Sequence, residues 1–181
     1  MPLVKKTAEG VELIPTGWTR LAEGDALPET GAVLVSLSLW LEQRDTLRQR
    51  AEPVGVWLAS NTDTAFAAWG EALAGDLLGL PVVAIDFPVF GDGRGYSIAA
   101  LLRQRHGYRG ELRAIGNVLV DQVSAMARVG FDGFEVAEGT RLELLEQAWS
   151  RFPAVYQTAT DGRETIWQRR AAFAAAKGTG A

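Results

Sequence analysis

Three short, nearly continuous apolar runs set the pattern of this chain: Ala32-Val33-Leu34-Val35-Ser36-Leu37, Val54-Gly55-Val56-Trp57-Leu58-Ala59 and Val82-Val83-Ala84-Ile85-Asp86-Phe87. A strand with one wet face alternates polar and apolar residues, whereas runs like these suit strands buried on both faces, in a parallel sheet flanked by helices. Between and after them, Ala65, Phe66, Trp69 and Leu73, then Val123, Met126 and Ala127, then Leu142, Leu145, Trp149 and Phe152 recur at helical spacing. Weaker strands are predicted at Glu111 to Ile115 and Asp132 to Val136. The fold class is therefore α/β, with about five parallel βα units forming an open sheet or an incomplete TIM-like barrel. A closed barrel takes eight strands and typically about 250 residues, so a lead-in strand or a second subunit would have to complete it.

Before Gly31 the texture differs. Val11, Leu13 and Ile14 alternate weakly around Glu12, and Pro15, Gly17, Gly24, Pro28 and Gly31 interrupt any regular element. Residues 1–31 read as a lead-in arm, a short strand or hairpin. Residues 32–155 form the parallel α/β domain, and 156–181 form a helical tail that frays at its Ala- and Gly-rich end. All three belong to one domain, and Trp167 in the tail requires a surface to cover it.

Composition narrows the possible functions. The 181 residues are 48% apolar and 22% charged with a formal net charge of -4, which fits a globular protein and gives no electrostatic reason to expect nucleic acid. With no cysteine, the chain offers no disulfide, thiolate metal site, iron–sulfur cluster or cysteine nucleophile. Its single histidine, His106, rules out a pair of histidine ligands and sits before Gly107, which looks like a helix C-cap. No metal is expected, and any flavin or nicotinamide cofactor would have to be borrowed. No stretch approaches the roughly 20 apolar residues of a membrane span, so the expectation is a cytoplasmic protein with no membrane partner.

The candidate chemistry gathers at Gly91-Asp92-Gly93-Arg94-Gly95-Tyr96-Ser97, a strand-to-helix turn after the third apolar run. Such corners hold ligands in α/β proteins. The glycines permit positive φ, and Ser97 can cap a helix beginning near Ile98, leaving its first N–H groups and Arg94 to meet an anion. The spacing matches neither a dinucleotide fingerprint nor a phosphate loop, and the alternative is a tight turn in which Arg94 pairs with Asp86 or Asp92. Asp86, ending an apolar run, either meets a donor or has an acid/base task; with Asp121 it forms the pair of catalytic candidates. Asn117, Gln122 and Glu135 follow or terminate neighbouring strands and could converge on the same rim. Ser60-Asn61-Thr62-Asp63 reads most simply as a helix N-cap.

The block from Phe90 through Ser97, with Leu101-Leu102-Arg103, Gly107-Tyr108, Gly110-Glu111-Leu112-Arg113-Ala114, Gly116-Asn117-Val118-Leu119, Asp121-Gln122 and Arg128-Val129-Gly130-Phe131-Asp132, resembles the bacterial DUF934 family, loosely labelled probable oxidoreductases. The likeness extends to Gly79-Leu80-Pro81, Trp18 and Trp40. One departure is Asn117, where relatives commonly have Asp. The resemblance implies a proteobacterial cytoplasmic protein that accompanies assimilatory sulfite reductase and supports sulfite reduction, by way of electron supply.

Two expectations follow. In the first the chain is an accessory protein that docks on sulfite reductase or its electron donor through the Phe90–Tyr96 turn and the Trp167 tail. In the second it is an enzyme or small-ligand protein that takes a sulfur oxyanion, phosphate or nucleotide at Gly91 to Ser97, with Asp92, Gly93, Arg94, Gly95, Tyr96, Ser97, Asn117 and Gln122 as binding residues. A homo-oligomer is compatible with either.

Overall fold

A computed structural model describes residues 1–7, 10–22, 24–60, 73, 75–152 and 154–178. Its eight strands are β1 (Leu3–Lys6), β2 (Val11–Ile14), β3 (Trp18–Arg20), β4 (Ala32–Ser36), β5 (Val54–Ala59), β6 (Val82–Phe87), β7 (Glu111–Val118) and β8 (Gly133–Val136). They form one sheet in the order β2-β1-β8-β7-β6-β5-β4-β3. From β3 to β8 each strand lies parallel to its neighbours in chain order, while β1 runs antiparallel to both β8 and β2. The sheet curls as a half barrel.

The α/β class and the mostly parallel sheet match the pattern of apolar runs. The arrangement of about five parallel βα units, open or TIM-like, is not clearly reproduced, because the lead-in, read as a short strand or hairpin, joins the same sheet and brings antiparallel pairs with it. The lead-in supplies three of the eight strands, two at one edge and one at the other. These strands are short and partly wet, with burial only at positions such as Leu3, Val4 and Val11, so no continuous apolar run marks them. Residues 15–17 alone separate β2 from β3, and four extended Cα steps reach at most about 14 Å. That short tether brings the opposite edges of the sheet near one another and accounts for the curl.

Among the described residues six α-helices accompany the strands: α1 (Leu37–Glu42), α2 (Arg44–Arg48), α3 (Arg94–Gln104), α4 (Val123–Arg128), α5 (Leu142–Ser150) and α6 (Ile166–Gly178). The helix expected around Ala65, Phe66 and Trp69 lies outside the described residues, although Leu73 is described and fully buried. Val33, Val35, Val56, Leu58, Val83, Ile85 and Phe87 meet Ile98, Leu102, Val123, Met126 and Leu145 on the helix-bearing face. A smaller cluster of Leu34, Val82, Ala84 and Ile115, packed by Trp18 and Trp57, fills the other face, inside the curl. Period-2 alternation thus sends each parallel strand into two separate cores.

After β4 the chain is pinned by Asp76. Its carboxylate accepts hydrogen bonds from Trp40 Nε1 at 3.3 Å, Arg44 Nε at 2.5 Å and Arg48 Nε at 2.6 Å, with Arg48 Nη2 also in contact. Burial alone would raise its pKa, but the two guanidinium groups outweigh burial and hold the carboxyl below its ordinary value. A carboxylate with a depressed folded pKa contributes stability that is present above the unfolded value and lost as pH falls through the folded one. Asp76→Asn is expected to cost about 2 kcal/mol at pH 7, a deficit that shrinks below about pH 4 in urea titrations of both proteins.

Two further expectations need adjustment. Gly107 follows α3 with a left-handed φ of 65°, but the C-cap itself is Arg105, two residues earlier. Trp167 is not covered, however: it is 52% exposed, meeting Tyr156 edge to face at 5.6 Å with the Arg170 guanidinium over its ring at 5.4 Å.

Candidate functional site

The glycine turn closes on itself. Asp92, nearly buried, accepts hydrogen bonds from Arg94 Nε at 2.9 Å, Arg94 Nη2 at 2.8 Å, the Arg94 backbone N–H at 3.2 Å and Ser60 Oγ at 2.6 Å. The bonds from Arg94 and then Ser60 hold its carboxyl well below the usual carboxylate range. Of the two partners expected for Arg94, the structure selects Asp92. Ser97 does not cap the helix: α3 begins at Arg94, four residues earlier than predicted, its N-cap is Gly93 with no side-chain capping bond, and Ser97 lies exposed within it. Asn61, Thr62 and Asp63 lie outside the described residues.

Positive φ is not what the turn's glycines provide, since Gly91, Gly93 and Gly95 all have ordinary negative φ. Gly95 is required by packing instead, because a Cβ there would lie 2.5 Å from Phe87 Cζ. The Phe87 ring also meets Tyr96 edge to face at 5.6 Å. Burial pushes the Tyr96 hydroxyl pKa up, and the Asp121 charge adds to the shift. Gln122 bridges two turns by accepting from the Leu119 N–H at 3.2 Å and donating to the Phe90 carbonyl at 3.4 Å. Asn117 and Asp121 are exposed. The turn therefore presents Val89 and Phe90, 58% and 57% exposed, beside Leu119, on a frame fixed by Asp92 and Gln122.

Asp86 belongs to a different cluster, inside the curl. Register places Ala84 beside Arg113 and Asp86 beside Ile115 on the inner face, with Arg113 in turn beside Gly133 of β8. Arg20, from the end of β3, donates to Asp86 Oδ1 at 3.2 Å and lays its guanidinium 4.4 Å from the Trp57 ring centroid. Arg113, only 1% exposed, donates from Nε to Glu111 Oε1 at 2.9 Å, while Lys5 Nζ donates to Glu111 Oε2 at 2.6 Å. Arg113 Nη1 stands 3.8 Å from Glu135 Oε1, too far for a hydrogen bond, and has no hydrogen-bond partner among the described residues. Burial raises the Glu135 pKa and Asp86 adds to the shift, against the opposing pull of Arg113, the N-terminal amine and Arg20.

Asp86 and Glu135 thus share one neighbourhood, while Arg94 and Asp121 stand apart at the turn. Gly116 shapes this neighbourhood: its φ is 89°, and a Cβ there would lie 2.7 Å from the Phe87 carbonyl oxygen and 2.8 Å from Asp86 Oδ1. The β7–β8 pairing also shifts register between Ala114 and Val118, the mark of a bulge that re-aims a strand end. Arg20, Lys5, Glu111 and Arg113 were not anticipated. The available signal was Arg113 alternating with Leu112 and Ala114, a charge on the second face of a buried strand. Among the described residues, no group of three or more His, Cys, Asp or Glu could hold a metal ion, and no helix is long and apolar enough to cross a membrane.

Fold and site together define a mixed α/β half barrel with a charged inner face and an apolar knob on its glycine turn. The chain belongs to the DUF934 family, described as a bacterial protein of unknown function, whose model matches residues 55–167. That stretch contains Asp86, the turn, Glu111, Arg113 and Glu135, and leaves out Lys5 and Arg20. Neither the curated proteins nor the solved structures contain a significant match.

Proposed function

We propose that the chain is an accessory protein of assimilatory sulfite reduction that docks on sulfite reductase or its electron donor through the knob formed by Val89, Phe90 and Leu119. The process comes from the family resemblance. The observation that supports docking is that two large apolar side chains more than half exposed are held on a turn with little freedom left to lose. Aromatic anchors on pre-organised frames bind well because the entropic cost of ordering them has already been met during folding. The same geometry favours docking over an anion clamp at the turn, since the Arg94 guanidinium is already committed to Asp92. With no cysteine, this chain offers no thiol redox pair or thiolate-held cluster of its own.

A strain lacking the protein is expected to grow slowly with sulfate as sole sulfur source and normally with cysteine. Wild type should restore growth and Phe90→Glu should not, while both proteins accumulate equally. Normal growth of the deletion strain on sulfate would reject the proposal.

A further inference from the structure

A cleft of about 510 Å³ lies between the end of β1, α4, the end of α5 and the segment that leads to α6. This volume falls within the range of small-molecule sites. Three cations line it, Lys6, Arg128 and Arg163, against one carboxylate, Asp161. Arg128 pairs with Asp161 at 3.3 Å. Among the described residues neither Lys6 nor Arg163 has a carboxylate partner, and Arg163 is half-buried and held by the Phe152 carbonyl. The cleft thus concentrates positive charge on a chain whose formal net charge is -4. Beside these cations stand two rings. Trp149 is fixed edge to face on Phe134 at 5.1 Å, and Phe152 is 58% exposed.

We infer that this cleft binds a small ligand in which a tetrahedral oxyanion, a phosphate or sulfate ester, is joined to a flat apolar body. The oxyanion lies between Lys6 and Arg163, which are half-exposed or exposed yet converge on one hollow, and the flat body lies against Phe152 and Trp149. Arg128 is held by Asp161 and serves to frame the hollow. Charge complementarity supplies the attraction and the aromatic wall the selectivity for an ester over a free ion. The elements involved are not those of the Val89–Phe90 knob, so failure of one proposal leaves the other standing.

Titration of the full chain with phenyl phosphate, phenyl sulfate and inorganic phosphate tests this by calorimetry and thermal unfolding. Both aryl esters should raise Tm and bind at least about tenfold more tightly than inorganic phosphate, with phenyl phosphate tighter if the natural ligand is a phosphate ester and phenyl sulfate tighter if it is a sulfate ester. Lys6→Gln, at an exposed position, should leave the ligand-free Tm unchanged and weaken the esters by about tenfold or more; Arg163→Gln should weaken them likewise. No Tm shift with either ester at millimolar concentration, equal binding of inorganic phosphate, or unchanged binding by Lys6→Gln would overturn the inference.

Discussion

Arg113→Met is expected to destabilise the protein by about 3 kcal/mol at pH 7, the cost of removing a buried cation from between two partly buried carboxylates. The arginine is 1% exposed and stands between Glu111 and Glu135 on the inner face. Glu111 keeps Lys5 in the variant, so most of the loss falls on Glu135. Its pKa is already raised by burial with Asp86 contributing, and Arg113 is one of the groups restraining that rise. Removing the restraint raises the folded pKa further above the unfolded one. A carboxyl in that condition contributes stability below the unfolded pKa and loses it as pH climbs through the folded value. The deficit should therefore be largest near neutrality and shrink as the pH is lowered towards about 4, the unfolded glutamate range. Urea titrations of both proteins across that interval check the sign. A deficit that stays constant across the interval would show that Arg113 acts through packing alone.

Gly116→Ala is expected to cost about 3 kcal/mol or more, combining a strained left-handed conformation with overpacking against a backbone atom that has nowhere to move. The new Cβ would meet the Phe87 carbonyl at 2.7 Å and crowd Asp86 at 2.8 Å. Gly91→Ala is the internal control. It has an ordinary φ, and a methyl group added there would meet no atom within 4 Å, so the change should be neutral or stabilise by a few tenths of a kcal/mol through the unfolded chain. Thermal unfolding of the two variants separates them. Equal effects would mean that the bulge at Gly116 is not what sets the end of β7.

This contrast also shows where sequence was informative. The parallel strands announced themselves because burial on two faces forces continuous apolar residues, and β5 and β6 fall where Val54–Ala59 and Val82–Phe87 predicted. Of the lead-in strands only β2 left a trace, in the weak alternation of Val11, Leu13 and Ile14; β1 and β3 did not, because edge strands of three or four residues need few buried positions. Their pairing with β8 and β4 is a long-range matter that no local pattern encodes. The same limit applied to Asp86, whose partner Arg20 lies 66 residues away in the lead-in. Arg94 was legible as a pairing residue because Asp92 is local to it. The three turn glycines drew attention as sources of unusual backbone, yet Gly95 matters for contact with Phe87, and the left-handed glycine next to Asp86 is Gly116.

The apolar knob also fits this division. Phe90 and Val89 read as part of a family block, and only their exposure on a fixed turn gives that block a physical task. Surface apolar residues are common singly, so the weight rests on Phe90 and Leu119 being tied together by Gln122 while the Asp92 N–H holds the Val89 carbonyl. Truncating a central aromatic anchor typically costs about 2 kcal/mol or more, roughly thirtyfold in affinity.

The decisive measurement is the affinity of the purified chain for sulfite reductase and, separately, for its electron donor, taken with wild type and with Phe90→Glu. Saturable binding of wild type to one of them, weakened about thirtyfold or more in a variant of unchanged Tm, is the predicted result. Absence of wild-type binding to either, or equal binding by Phe90→Glu, would contradict it.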